Sequence, residues 1–354
     1  MRTLRSARGG NAKGVGLLLL VLILIMALTA CAGDTGPEGP PGPEGPAGPV
    51  GPAGPEGPAG ADASMGDLGC VDCHNDTTLI TGKMTAWEAS LHGSGTATAY
   101  AGGRAGCSGC HSGGAFSEAI AAGTSPGLYE AADTDPTHQD CRTCHAIHTT
   151  YTAADWALET SEPAALIAFE GTNFDGGAGN LCAECHQPRS TLGEATDGMI
   201  EVTSTHWGPH HGPQAAMLLG LAGGGETTGA AMAHATEVPD TCVTCHLGET
   251  SGHTFAPSVT ACQTCHSGVE DFDINGVQTE VSEGLDALEA ALVAKGWLVD
   301  AEGELEPFVG PIPEAEAAAL WNWIYIAVED GSLGVHNPDY TRSLIEASLA
   351  ALGG

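Results

Sequence analysis

The sequence predicts a mainly α-helical fold with much irregular structure, drawn out at its amino end into an extended stalk. Three observations predict it. Residues from about Gly66 to Asp273 are rich in Gly, Ala and Thr, in a chain with only 5% aromatic residues, too thin for an ordinary apolar core. Glycine recurs at every third position from Gly33 to Gly60, which demands an extended backbone. Helical periodicity is sustained in the tail alone. Residues 281–296 and 314–329 read as helices, with Leu285, Leu288 and Leu292 on one face. A third helix starts near Pro338 and carries Leu344, Ile345 and Leu349, so two to three longer helices close the chain.

The thin central stretch carries six copies of Cys-x-x-Cys-His. They are Cys70/Cys73/His74, Cys107/Cys110/His111, Cys141/Cys144/His145, Cys182/Cys185/His186, Cys242/Cys245/His246 and Cys262/Cys265/His266. This is the attachment signature of c-type haem. Two thiols three residues apart reach the two vinyl groups of one porphyrin, and the following His supplies the proximal nitrogen to iron. The six copies use twelve of the thirteen cysteines. A disulfide framework would not place His after every second Cys. Zinc is the stronger rival, because Cys242, Cys245, Cys262 and Cys265 alone would pass for a four-thiolate site. The six histidines argue against it. Six iron-bearing c-type haems therefore replace the missing core, with short helices and loops wrapped around them. Each motif should begin about a turn of helix, and no sizeable sheet is expected.

The thirteenth cysteine has its own context. Arg2, Arg5, Arg8 and Lys13 precede an apolar run from Val15 to Leu28, which fits a secretory signal better than a membrane span. The run ends in Leu28-Thr29-Ala30-Cys31, which resembles the lipobox of bacterial lipoproteins and implies cleavage before Cys31 and its lipidation. The alternatives are an ordinary cleavage site beside a free thiol and an uncleaved signal anchor. Ala32 in place of Asp leans towards the outer membrane, at its periplasmic face or the cell surface. Four of the ten basic residues and none of the forty-four acidic ones precede Cys31, leaving six against forty-four, a net of −38. Such a charge excludes a nucleic-acid role and favours basic or cationic partners.

Beyond Cys31, eight Gly-Pro-x triplets run from Gly36 to Ala59. Only Gly fits the crowded axis of a collagen triple helix. One reading is a short triple helix that makes a homotrimer of lipidated chains. The other is a single stiff polyproline spacer. Glu38, Glu44 and Glu56 have no Lys in the tract to pair with, and Pro41 alone fills a second position. Either form spans about 80 Å at roughly 3 Å per residue.

Fifteen histidines less the six in motifs leave nine candidate distal ligands: His92, His138, His148, His206, His210, His211, His234, His253 and His336. Nine suffice to make every haem bis-histidine. His92, His148, His253 and His336 are the first choices, and one or two of His206, His210 and His211 should ligate. His148 lies three residues after His145 on the same side of a turn, so it would serve a neighbouring haem. Met84, Met199, Met217 and Met232 are read as packing.

On these motifs the chain resembles the bacterial multihaem c-type cytochromes of anaerobic and extracellular respiration. Its tail, Trp321-Asn322-Trp323-Ile324-Tyr325 and then Glu329 to Tyr340, resembles that of the cytochrome c nitrite reductase and octahaem reductase superfamily. That resemblance implies a distal ligand role for His336, between two long helices. Catalytic members carry one motif ending in Lys and an open haem face, whereas all six motifs here end in His. The resemblance therefore supports architecture more than activity.

Four segments follow: signal peptide (1–30), lipidated Cys and stalk (31–62), hexahaem domain (63–275) and a helical segment supplying a distal His (276–354). The expected function is electron transfer by an anchored lipoprotein, passing electrons between a redox partner protein and an extracellular acceptor, with no catalytic residue. The alternative is a reductase of small nitrogen or sulfur oxyanions with one open haem, where Arg104, Arg142 or Arg189 would bind substrate.

Overall fold

The computed structural model describes residues 78–210, 212–248 and 252–353. The chain divides into Met1–Ala61 and Asp62–Gly354, and all described residues belong to the second unit. The signal, Cys31 and the Gly-Pro-x tract lie outside the described residues. So do His211 and the whole first motif, with the attachment cysteines Cys70 and Cys73 and the proximal ligand His74.

The motif-bearing stretch is short helices and loops. Helix α1 (Thr78–Glu88) is pinned by Trp87, whose indole N–H donates to the Gln139 carbonyl at 2.7 Å. Helix α2 (Gly113–Ala121) buries Ala115, Phe116 and Ala119 on one side. Strands β1 (Ala164–Ala165) and β2 (Asn173–Phe174) form a two-residue antiparallel ladder, with Ala164 opposite Phe174. Each of the five described motifs makes one turn of helix: Ser108–His111, Cys141–Cys144, Asn180–Ala183, Cys242–His246 and Val259–Gln263. Two of these turns have side-chain caps. Asp140 accepts from the Arg142 amide, and Ser258 from the Ala261 amide. Peptide burial here is small, with Ala164, Leu166, Phe174, Ala183, Ala215 and Leu218 forming a satellite cluster.

The tail has a true apolar core and draws part of the preceding stretch into it. Strand β3 (Met199–Val202) and helix α3 (Gln214–Leu219) precede helix α4 (Val277–Lys295). Then come β4 (Leu298–Ala301), β5 (Glu304–Pro307), β6 (Gly310–Pro313) and helix α5 (Glu314–Trp323). Helix α5 runs on through a π-helical segment, Ile324–Asp330, and helix α6 (Pro338–Leu352) ends the fold.

Helix α4 buries Val281, Leu285, Leu288 and Leu292, and Gly296 ends it in the left-handed region at φ 80°. Helix α5 is buried from Ala317 to Trp323. Helix α6 begins with Asn337 as N-cap and Pro338 in its first turn. Strand β3 pairs antiparallel with β6, so Ile200 faces Ile312, and this ladder ties residues before 275 to residues after it.

One segment needs glycine. Residues 221–224 thread between α5 and α6, fixed by Trp321 to the Ala222 carbonyl (2.7 Å), Tyr325 to the Leu221 carbonyl (2.8 Å) and the Gly224 amide to Asn322 (2.6 Å). A Cβ on Gly223 would meet both Leu344 and the Tyr340 hydroxyl at 2.4 Å.

Candidate haem sites

A metal–imidazole bond is about 2 Å long, and a ring nitrogen lies about 1.15 Å from its ring centre. Two imidazoles on opposite sides of one metal therefore have centroids about 6.3 Å apart. Every described motif histidine faces a second histidine at that spacing. His186 faces His92 at 6.1 Å, His111 faces His210 at 6.2 Å and His145 faces His253 at 6.3 Å. His266 faces His234 at 6.1 Å, and His246 faces His336 at 6.4 Å. Three pairs are nearly perpendicular, at 82° to 84°, and two are tilted by only 34° and 35°. The expected sixth site, with Cys70, Cys73 and His74, lies outside the described residues and has no geometry to set beside these five.

The outer nitrogens are occupied in the way a ligand needs. Each Nδ1–H that donates outward turns Nε2 towards the partner ring. His145 donates to the Trp156 carbonyl (2.7 Å), His246 to the Phe255 carbonyl (2.8 Å) and His234 to the Val335 carbonyl (2.8 Å). His186 meets the Gln214 side-chain oxygen at 3.1 Å, and His336 meets the Asp330 carboxylate at 2.7 Å. Burial pushes His92 down to about 4, with neighbouring His186 adding to it, and it lowers His186, His246 and His253 too. A depressed imidazole is neutral near pH 7, the form that binds metal. Burial acts the same way on His336, but the Asp330 charge and hydrogen bond outweigh it and raise it.

A single strap of backbone braces three of the pairs. Between α5 and α6, Asp330 holds His336, and the Val335 carbonyl holds His234. Gln214 bridges His186 to the Glu329 and Asp330 carbonyls, at 3.1 and 3.3 Å. Asn337, only 1% exposed, anchors the strap by donating to the Met217 and Ala230 carbonyls at 3.1 and 3.0 Å. Sequence reasoning assigns no role to Gln214 or Asp330. Asp330 lies within the tail motif six residues before His336, so a carboxylate that near a ligand is a usable signal.

The thiols order the sites. The Cys110 and Cys185 thiols lie side by side, close enough for their ionisation to be linked. Cys182 and Cys242 are neighbours in the same way. Burial pushes Cys144 up to about 12, with Cys182 close enough to add to it. Cys245 feels both Cys262 and Cys265. Among the described residues, no three or more of His, Cys, Asp and Glu converge to cage a metal.

The remaining expected ligands stand apart. His138 Nδ1 is 3.4 Å from the Thr98 hydroxyl, and His206 is exposed. His148 is exposed and held at φ 67°, a left-handed conformation costly for a residue with a Cβ. Its loop is built on buried Asp155, which accepts from the His148, Thr150 and Tyr151 amides at 2.9, 2.7 and 3.0 Å. Arg104 lies over the Tyr100 ring at 4.2 Å, and exposed Arg142 pairs with Asp140 at 3.3 Å. Met217 is buried in the core, whereas Met84 is 45% exposed.

Paired imidazoles beside thiol pairs, in a framework of short helices with little sheet, define the fold of a multihaem cytochrome, and the residues fit haem. The outer cell wall cytochrome OcwA, known from a crystal structure, has a similar fold, with a TM-score of 0.50 at 21% identity. The match covers 76% of this chain and 50% of that one, so the chain spans about half the length of that cytochrome. An undecahaem cytochrome from the S-layer of Carboxydothermus ferrireducens matches at a TM-score of 0.33 and 18% identity, over 82% of this chain and 39% of that one. No family model and no curated protein matches the chain.

Proposed function

We propose that the chain is an exported electron-transfer cytochrome carrying six c-type haems, each held between two histidines. The observation that carries this reading is the set of five imidazole pairs at the spacing of one bridged metal. Bound haem supplies a one-electron couple at iron. The thiol pairs would hold each macrocycle, and the paired imidazoles would supply nitrogens to its iron. His92, His210, His253, His336 and His234 serve the sites of His186, His111, His145, His246 and His266. Cys70 and Cys73 are read as the sixth attachment, with His74 as its proximal ligand. For that site the distal choice lies among His138, His148, His206 and His211.

The thiol neighbours support one order for the relay. The 107–111 site touches the 182–186 site, which touches 242–246, which neighbours 262–266. The 141–145 site approaches the same 182–186 site through Cys144 and Cys182, so 182–186 is a junction. With the five described motif histidines each paired, the one open face that the oxyanion-reductase alternative needs would fall at the Cys70–His74 site.

Cys31 is read as the lipid anchor and the Gly-Pro-x tract as the spacer or trimer stalk. They put the relay at the outer membrane or cell surface, where its acidic face suits basic redox partners or an extracellular acceptor. The outer cell wall location in the name of OcwA is consistent with export. Spectropotentiometry with spin assignment on the holoprotein tests the reading. Six low-spin haems are expected, and a high-spin component that shifts on adding nitrite would replace it with the reductase. Cys31→Ser should release the protein from membranes, and continued co-sedimentation would refute the anchor.

A further inference from the structure

Two of the imidazole pairs form a matched comparison. In the 141–145 site, His145 donates to the Trp156 carbonyl at 2.7 Å and its ring is tilted 35° from His253. In the 242–246 site, His246 donates to the Phe255 carbonyl at 2.8 Å and its ring is tilted 34° from His336. Ring angle and motif-side partner thus agree. The far-side imidazoles differ. Among the described residues, His253 Nδ1 is buried with no hydrogen-bond partner, whereas His336 Nδ1 donates to Asp330 at 2.7 Å.

The carboxylate is built in. The Asp330 side chain has no exposure, and the Ser332 amide and hydroxyl both donate to it. A carboxylate on the outer nitrogen raises the basicity of the metal-bound one. Out of water its charge is poorly screened. Both effects favour ferric over ferrous iron, because the oxidised site carries one more positive charge. His186 and His234 donate instead to neutral oxygens, those of Gln214 and Val335.

We propose that Asp330 is a positioning residue that sets the potential of the 242–246 haem below that of the 141–145 haem. Two of the three sites that meet at the 182–186 junction then differ in driving force, with the Asp330 carboxylate on His336 in one and the Lys83 charge near His253 acting in the same sense in the other. The step itself is one electron, from a reduced neighbouring haem to ferric iron, with no proton transferred. This inference rests on the relay reading.

The test is Asp330→Asn in the full-length holoprotein, which keeps the shape and removes the charge. In spectropotentiometry one of the six components should move upward while five stay. At fixed poise the ferric-to-ferrous ratio of that haem should fall about tenfold, about 59 mV for a one-electron couple. A titration superimposable on the parent, with six haems retained and low-spin, overturns the proposal. If the Asn variant does not accumulate, near-infrared magnetic circular dichroism of the parent decides. One low-spin haem should show a charge-transfer band displaced towards that of an imidazolate ligand, and its absence overturns the proposal. A high-spin 242–246 haem in the parent would instead sink the relay reading, a different and recognisable failure.

Discussion

The tail helices and the motif-bearing stretch hold their shapes by different means. Around α4, α5 and α6, Leu288, Leu292, Leu320, Ile326 and Leu344 are wholly buried and pack on one another. Side chains alone supply that interior. From α1 to the 141–145 motif, the peptide offers a few alanines, Phe116 and hydrogen bonds such as Trp87 to Gln139. Its imidazoles His92, His111 and His145 face His186, His210 and His253 across gaps sized for a bridged metal. One region brings its own core and the other is completed by what it binds, although β3 and β6 join them in one ladder. The difference teaches where stability depends on the cofactor and where it does not.

Removing one attachment is the sharpest way to break that comparison. With Cys182→Ala and Cys185→Ala, the site that borders 107–111, 141–145 and 242–246 loses its attachment to haem. Hydrogen exchange should then lose most of its protection across 107–145 and 242–246, while α4 and α6 keep theirs. Equal loss in both regions would show that they depend on haem alike.

Core damage probes the other side. Leu288→Ala removes a side chain with no exposure and should cost about 2–5 kcal/mol by denaturant melting. Gly223→Ala forces a Cβ against Leu344 and Tyr340 and should cost about 1–3 kcal/mol. Haem content and midpoint potentials should hold in both variants. A shifted potential would mean the tail core reaches the ligands more directly than the strap allows.

The smallest expected effect is Asp155→Asn in the His148 loop. Burial opposes ionisation of Asp155, yet its bonds from Thr150, Tyr151 and His148 hold its pKa below the ordinary value. A depressed carboxylate contributes stability above its unfolded pKa and loses it as pH falls through the folded one. Asn should speed amide exchange at His148, Thr150 and Tyr151 at neutral pH and flatten the loop's acid dependence. Unchanged exchange would remove Asp155 as organiser of that loop.

Local signals in the sequence are strong where a single segment carries them. Periodicity puts the tail helices at 281–296, at 314–329 and from Pro338, and they lie at Val277–Lys295, Glu314–Trp323 with its π extension, and Pro338–Leu352. The expectation of little sheet agrees with the three two-stranded ladders among the described residues. The pairing of imidazoles is not legible. His210 and His206 sit in one loop only four residues apart, yet His210 faces His111 and His206 is exposed. His234 has no special sequence context and faces His266. His148 is a first choice on spacing, although each described motif histidine faces another ring.

By itself the sequence marked the residues of the proposed chemistry, because a thiol pair three residues apart with the next His is a local geometry that any short turn can present. It also determined the tail helices, whose apolar spacing and terminal glycines act within one segment. Tertiary structure decided which distant imidazole closes each pair, which thiols touch, and that Asp330 rather than a neutral oxygen meets His336. Those outcomes depend on contacts between residues far apart in the chain, which folding sets and no local pattern encodes.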